Sequence, residues 1–361
     1  MNMKLTVCTR KGLFVLEAGG AGWAVQRHHF PGEPVTAFLS DADGAHCLAA
    51  LRLGHFGVKL WRSADAGKTW TESAAPAYPP KPDDATDTAP WAVDQIWILE
   101  GFHAKAPGRI WAGTIPGGLF RSDDQGRSWA LNGALWNMPQ RRQWFGGGYD
   151  HPGVHSIAVS AQDPDDIVVG VSCGGVWRSL DAGQSWQVGT GMSAAYVPPE
   201  RAGDPVTQDP HRVVRCRSAP EVLWTQHHCG VWRSDDSGLT WKAVDNVKPS
   251  SFGFAVGVDP NNPGRAWFVP ASADTLRIPV GAALSVGRTS DGGTSFEVMR
   301  DGLPQRDAYH LVYRHGLAVS PDGRRLAMGS TTGSLWVSDC EGQSWVRAAA
   351  DLPPIYAVHW M

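Results

Sequence analysis

The chain has 361 residues, a formal net charge of −3 and no run of Lys or Arg, which argues against nucleic acid or an acidic membrane surface as a partner. No apolar run approaches the length of a membrane span. The opening stretch Met1 to Glu17 alternates like a strand instead of reading as a leader, and six cysteines at no framework spacing (Cys8, Cys47, Cys173, Cys216, Cys229, Cys340) predict reduced thiols in a cytoplasmic protein.

The elements are short strands throughout. Leu5 to Arg10, Gly12 to Glu17 and Trp23 to Gln26 alternate in polarity and are separated by turns, the second of them Gly19-Gly20-Ala21-Gly22. From there an octet of the form S-x-D-x-G-x-[ST]-W recurs: Ser63 to Trp70, Ser122 to Trp129, Ser179 to Trp186 and Ser234 to Trp241, with Thr289 to Phe296 varied at both ends. Ser338 to Trp345 carries Cys340 at the Asp position, so either Asp339 takes over the turn or other contacts hold the loop. Around each octet lie strands in a fixed order, most clearly in His155 to Trp186. A fixed period of this length signals a repeat architecture. The Asp carboxylate and the Ser or Thr hydroxyl are suited to bond the loop's own amides, and Gly to supply a positive φ. A structural role for these acids is therefore expected.

The octet is the Asp-box of the BNR repeat, and the chain resembles the sialidase-like propellers along most of its length. The resemblance implies an all-β fold of four-stranded blades. Counting Trp23, Trp70, Trp129, Trp186, Trp241, Phe296 and Trp345 as equivalent aromatics gives seven blades. The last residues, Pro354 to Trp360, read as the strand that the first blade lacks, which would pair the two chain ends and remove two sheet edges. One propeller domain is expected over 1–361, with blades near 1–30 plus 353–361, 31–73, 91–132, 153–190, 209–246, 250–300 and 312–350. Most of the 18 Trp are expected in the core of such blades.

Four connections are longer than hairpins need: Ala74 to Trp91, Leu135 to His155, Gly191 to His211 and Ala271 to Ala283. Such insertions are more often functional than not, and all four are expected on the face where the innermost strands begin. Aligning the blades on their octets places His155, His211, His315 and Asp94 at equivalent strand starts, beside Ile355, Val35 and Ser251 in the other blades. If these converge at the mouth of a central channel, three imidazoles and a carboxylate form a ligand set for one divalent ion, Zn²⁺, Fe²⁺, Mn²⁺ or Cu²⁺. The structural alternative is that each His simply caps backbone groups. Loops between second and third strands add His55, Cys173, His227, His228 and Cys229 as ligand-binding candidates, although the His-His-Cys triplet lacks the paired spacing of a zinc finger. The long insertions add Tyr149, His151, Asp209, His310 and Arg314 as catalytic candidates, His151, Asp209 and His310 being the acid-base choices.

These residues predict an enzyme acting on a small polar molecule at the channel mouth, by hydrolytic or oxidative chemistry, with a protein partner left open. Two alternatives stand beside it. One is a metal-free sialidase-like glycoside hydrolase using carboxylates such as Asp150, Glu200, Asp204 or Asp209, which requires two of them to flank one pocket. The other is a non-catalytic binding or assembly scaffold, as in the sortilin-like and photosystem-assembly propellers. Sialidases use an arginine triad and a Tyr-Glu pair on six blades. No such triad can be placed here, and Leu276-Arg277-Ile278-Pro279 matches the family's Arg-Ile-Pro element only by its letters.

Overall fold

A computed structural model describes residues 3–20, 22–83 and 88–361. Ala21 of the first predicted turn, residues 84–87 of the Ala74 to Trp91 insertion and the first two residues of the chain lie outside it. The fold is an all-β seven-bladed propeller: every strand belongs to one of seven four-stranded antiparallel sheets. The chain divides into two compact units, Val35–Pro210 and the remainder.

The larger unit holds four sheets. The first is built from Lys4–Thr9, Gly12–Gly19 and Gly22–His29, with the C-terminal strand Ile355–Trp360 added at the free side of Lys4–Thr9. Leu5 pairs with Trp360 and Val7 with Val358, so the two chain ends share one ladder as the sequence predicts. The fifth blade runs Pro210–Arg215, Leu223–His227, Gly230–Ser234 and Lys242–Val244. The sixth begins at Gly253–Asp259 and the seventh at Leu317–Val319. The smaller unit holds blades two to four, whose first strands are Val35–Ser40, Gln95–His103 and Val154–Val159. The division between units falls inside the first strand of blade five, after Pro210.

First and second strands are apolar on both faces because neighbouring layers cover both. Ile167–Val171, for example, reads IVVGV and is buried throughout. Fourth strands are two to four residues long where they follow an octet, and several carry an exposed charge, as in Lys242–Val244 and Glu297–Met299, which discourages pairing with other chains. The fully buried tryptophans are Trp111, Trp177, Trp224, Trp267 and Trp336. All sit on second or third strands, whereas of the octet aromatics only Trp241 and Trp345 are buried. The indole core is thus carried mainly by strand residues and not by the motif itself.

Each intact octet repeats one hydrogen-bond pattern. In the third, Ser179 Oγ donates to Asp181 Oδ1 at 2.7 Å and accepts the Gly183 amide at 2.8 Å. Asp181 accepts the Ser185 amide at 2.9 Å and the Ser185 hydroxyl at 2.5 Å. Two consecutive residues have positive φ, Ala182 at 57° and Gly183 at 83°, so the loop demands more than its glycine. These bonds hold the carboxylates below their ordinary range; Asp181 lies at about 2, with the Ser185 hydroxyl the largest cause.

In the sixth octet Cys340 itself stands in for the carboxylate. Its Sγ accepts the Ser344 amide at 3.4 Å and lies 3.2 Å from the Ser344 hydroxyl, while Ser338 Oγ still accepts the Gly342 amide at 2.9 Å. Sulfur is a weak acceptor. Cys340→Asp is therefore expected to stabilise the protein by about 1 kcal/mol, read as a rise in the midpoint of thermal unfolding. A fall in that midpoint would show that the loop has readapted to sulfur. None of the six cysteines forms a disulfide.

Candidate functional site

Blade five brings the most chemistry together. Asp209 and His211 flank Pro210 at the start of its first strand, and His228 opens the two-residue turn between Leu223–His227 and Gly230–Ser234. Proline sets the backbone of an extended start, and residues two apart in extended chain project to the same side. The ligand atoms of Asp209, His211 and His228 all lie within 4.8 Å of one another, and this is the group of three or more such side chains found among the described residues. Asp209 and His211 are buried, at 3% and 2% exposure, while His228 is half-buried.

Each member is oriented by a neighbour. His211 Nδ1 donates to the Gly253 carbonyl at 2.6 Å; since a carbonyl only accepts, the proton resides on Nδ1. The His211 ring stacks on Phe254 with centroids 4.5 Å apart and meets His228 edge-on at 5.3 Å. Asp209 Oδ1 accepts the Cys173 amide at 3.2 Å. His228 Nε2 is 3.9 Å from Asp274 Oδ2, and Asp274 is in turn held by Arg277 at 2.5 Å. Burial pulls the Arg277 pKa down, but Asp274 and Tyr313 outweigh it and raise it overall. Arg277 and Arg314 both lie over Phe254, at 5.4 and 5.7 Å from its centroid. Phe252 and Tyr313 meet the same ring edge-on.

The other predicted residues fall in separate surroundings. His155 is fully buried, bonds Ser156 Oγ at 2.9 Å and packs edge-on against Trp97, whose ring also meets Tyr149. Asp94 is half-exposed and forms a bidentate pair with Arg52 at 2.9 and 3.0 Å. His315 pairs with Ala357 of the C-terminal strand, accepting the Val358 amide at its carbonyl. Of the predicted metal quartet His155, His211, His315 and Asp94, only His211 belongs to the observed ligand group. Equivalent register fixes where a strand starts, and aromatic packing or an ion pair then decides how each side chain is used.

His227 is buried and accepts the Cys229 amide at Nδ1, 3.0 Å, so it braces the turn that presents His228. Cys173 contributes its backbone: its amide orients Asp209 and its carbonyl accepts the Phe145 amide. His55 is exposed beside Phe56 on a short 3₁₀ turn. His310 bonds Thr332 Oγ1 at 2.5 Å and packs on Trp336; burial, followed by Arg347, lowers its pKa. His151 lies on a shallow, open depression with Tyr78, Lys81, Trp91 and neighbouring prolines. Among the alternative carboxylates, Asp204 caps a 3₁₀ turn and pairs with Arg201, whereas Asp150 and Glu200 are exposed. Sequence reasoning missed Phe254, Asp274 and Arg277 as parts of this site. The signals for Asp274 and Arg277 were their place in a long insertion and, for Arg277, the Arg-Ile-Pro letters around it.

No family model matches the sequence. The xyloglucanase Xgh74A of Acetivibrio thermocellus is 24% identical over 294 residues, covering 72% of this chain and 32% of that protein. The chain thus spans about a third of the length of that curated relative. Among solved structures, an ancestral GH74 enzyme superposes with a TM-score of 0.59 at 14% identity, covering 91% of this chain and 38% of that one. YCF48 bound to D1 peptide superposes with a TM-score of 0.52 at 14% identity, covering 87% and 81%. Both structural likenesses carry the fold alone. The chain is a seven-bladed β-propeller of BNR-like repeats with a distant sequence relationship to xyloglucanases.

Proposed function

We propose that this protein hydrolyses glycosidic bonds, with its working groups around Asp209 and His211. The observation that carries the reading is the xyloglucanase match, which extends over 72% of the chain in sequence and not in fold only. The site is suited to it. A buried carboxylate beside a buried imidazole provides groups for proton transfer, and the half-buried Phe252 and Tyr313 rings beside two guanidiniums offer apolar contact and donors for a sugar. Glycoside hydrolysis in the sialidase manner is not part of the proposal, since no arginine triad can be assigned in the sequence. The scaffold alternative has only fold likeness behind it.

Release of reducing ends from xyloglucan, its oligosaccharides and other β-glucans is the direct assay, with a sialoside as control. Asp209→Asn preserves shape and removes the charge, and is expected to lower turnover by about 10²-fold or more, with the unfolding midpoint unchanged. No release from any glycan, or equal rates for the two proteins, would count against the proposal.

A further inference from the structure

We propose that blade five binds one divalent transition-metal ion through Asp209, His211 and His228. The inference does not depend on the hydrolytic reading above. It begins with the donor set. Two imidazoles and one carboxylate suit Zn²⁺, Fe²⁺, Mn²⁺ or Co²⁺ and are poorly matched to Ca²⁺ or Mg²⁺, which prefer oxygen. Their ligand atoms already lie within 4.8 Å of one another. Ligands at about 2.0–2.2 Å from one ion sit about 3–4 Å apart, so side-chain adjustment of about an ångström completes the site without moving a strand.

The surroundings are those that ligation requires. A metal-bound histidine normally donates its other N–H to a carbonyl or carboxylate, which fixes the tautomer and the ring plane. His211 does this through Nδ1 to Gly253 O at 2.6 Å, which turns Nε2 into the donor atom. For His228 the nearest such partner is Asp274, whose Oδ2 stands 3.9 Å from Nε2, within ion-pair reach but beyond hydrogen-bond distance, and is itself pinned by Arg277; closing that gap would leave Nδ1 for the ion. The Cys173 amide holds Asp209 by Oδ1, which presents Oδ2.

Space is kept open beside that oxygen. A Cβ on Gly147 would lie 3.2 Å from Asp209 Oδ2, 2.7 Å from Cys173 Sγ and 3.0 Å from Ser172 Oγ. Phe252 and Phe254 form an apolar wall beside the two histidines, and a low-dielectric wall strengthens the attraction between a cation and a carboxylate. Three protein ligands leave at least one coordination position for water or substrate.

The test uses the full chain, stripped with a chelator and titrated with Co²⁺ and then Zn²⁺, following the Co²⁺ absorption bands and metal content. One ion per chain is expected, with Zn²⁺ displacing Co²⁺. His228→Ala, at a half-buried position, and Asp209→Asn should each weaken binding by 100-fold or more. Asp274→Asn should weaken it by about 10–100-fold, as for outer-shell partners. His55→Ala, at an exposed histidine in another blade, should leave it unchanged. Because His211→Ala removes a buried ring and risks misfolding, it is read only where circular dichroism shows native structure. Absence of a stoichiometric ion, or equal affinity in the wild type, His228→Ala and Asp209→Asn, overturns the proposal. The two readings fail separately: sugar release by a chain that takes up no stoichiometric ion on titration defeats this one, and a bound ion with no sugar release defeats the other.

Discussion

Stability is expected to fall in two stages as the pH is lowered. The first stage belongs to His359, which burial, aided by the positive charge of Arg212, pushes down to about 4. The unfolded chain takes up this proton near pH 6.5 and the folded chain only near 4, so between those values the unfolded state binds more protons and loses less by acidification. The folded state therefore loses stability across this interval. The second stage belongs to the octet carboxylates. Asp181 and Asp291 titrate at about 2 in the fold, chiefly through the hydroxyls of Ser185 and Ser295. Asp65 and Asp124 are held lower still, by the Thr69 amide and the Ser128 hydroxyl respectively. Their contribution is complete above about pH 4 and disappears as the pH falls toward 2, and because several loops protonate together the loss is steep. Urea midpoints followed by tryptophan fluorescence across this range measure both stages. His359→Gln should flatten the first and leave the second intact; an unchanged slope between pH 6.5 and 4 would assign the effect elsewhere.

These acids show how well the fold could be read from the residues. An octet built to satisfy its own amides is local, so its geometry follows from eight letters wherever it stands, and even the Cys340 copy keeps the loop. Blade number followed from the octet aromatics with Trp23 added to them, and the joining of the two ends followed because a strand with no partner in its own repeat must find one elsewhere. The site was less legible for the opposite reason. Asp209, His211 and His228 were each singled out, but in three different roles, since what unites them is the distance from a strand start to a turn of the same sheet, which no spacing in the sequence gives. His155 and Asp94 share the register of His211, yet one is enclosed by Trp97 and Ser156 and the other is claimed by Arg52. Register predicts position; only the neighbours decide use. Asp274 escaped notice because a lone acid in a loop carries no pattern, and Phe254 because an aromatic on a buried strand reads as ordinary core.

Removing Ile355–Trp360 is expected to unfold the larger unit. The strand supplies Ile355 and Val358, at 1% and 3% exposure, to a core shared with Leu5, Val7, Leu16 and Leu335. Loss of the two side chains alone costs about 3–6 kcal/mol. The ladder from Leu5–Trp360 to Thr9–Ile355 would vanish with them and leave the amides and carbonyls on one side of Lys4–Thr9 without strand partners, at a further cost in each buried group left unsatisfied. Against the 5–15 kcal/mol that typical domains possess in all, the sum is decisive. Val358→Asp is the milder form: it keeps the ladder, buries a charge in the shared core, and should lower the urea midpoint markedly while the backbone pairing persists. The truncated chain is expected to be aggregated or proteolysed, since an uncovered first strand is an open template for pairing with another chain. Adding a synthetic peptide of the missing residues in excess should recover native tryptophan fluorescence. A truncated chain that stays monomeric and melts like the full-length protein would show that the end-to-end strand is a cover and not a keystone.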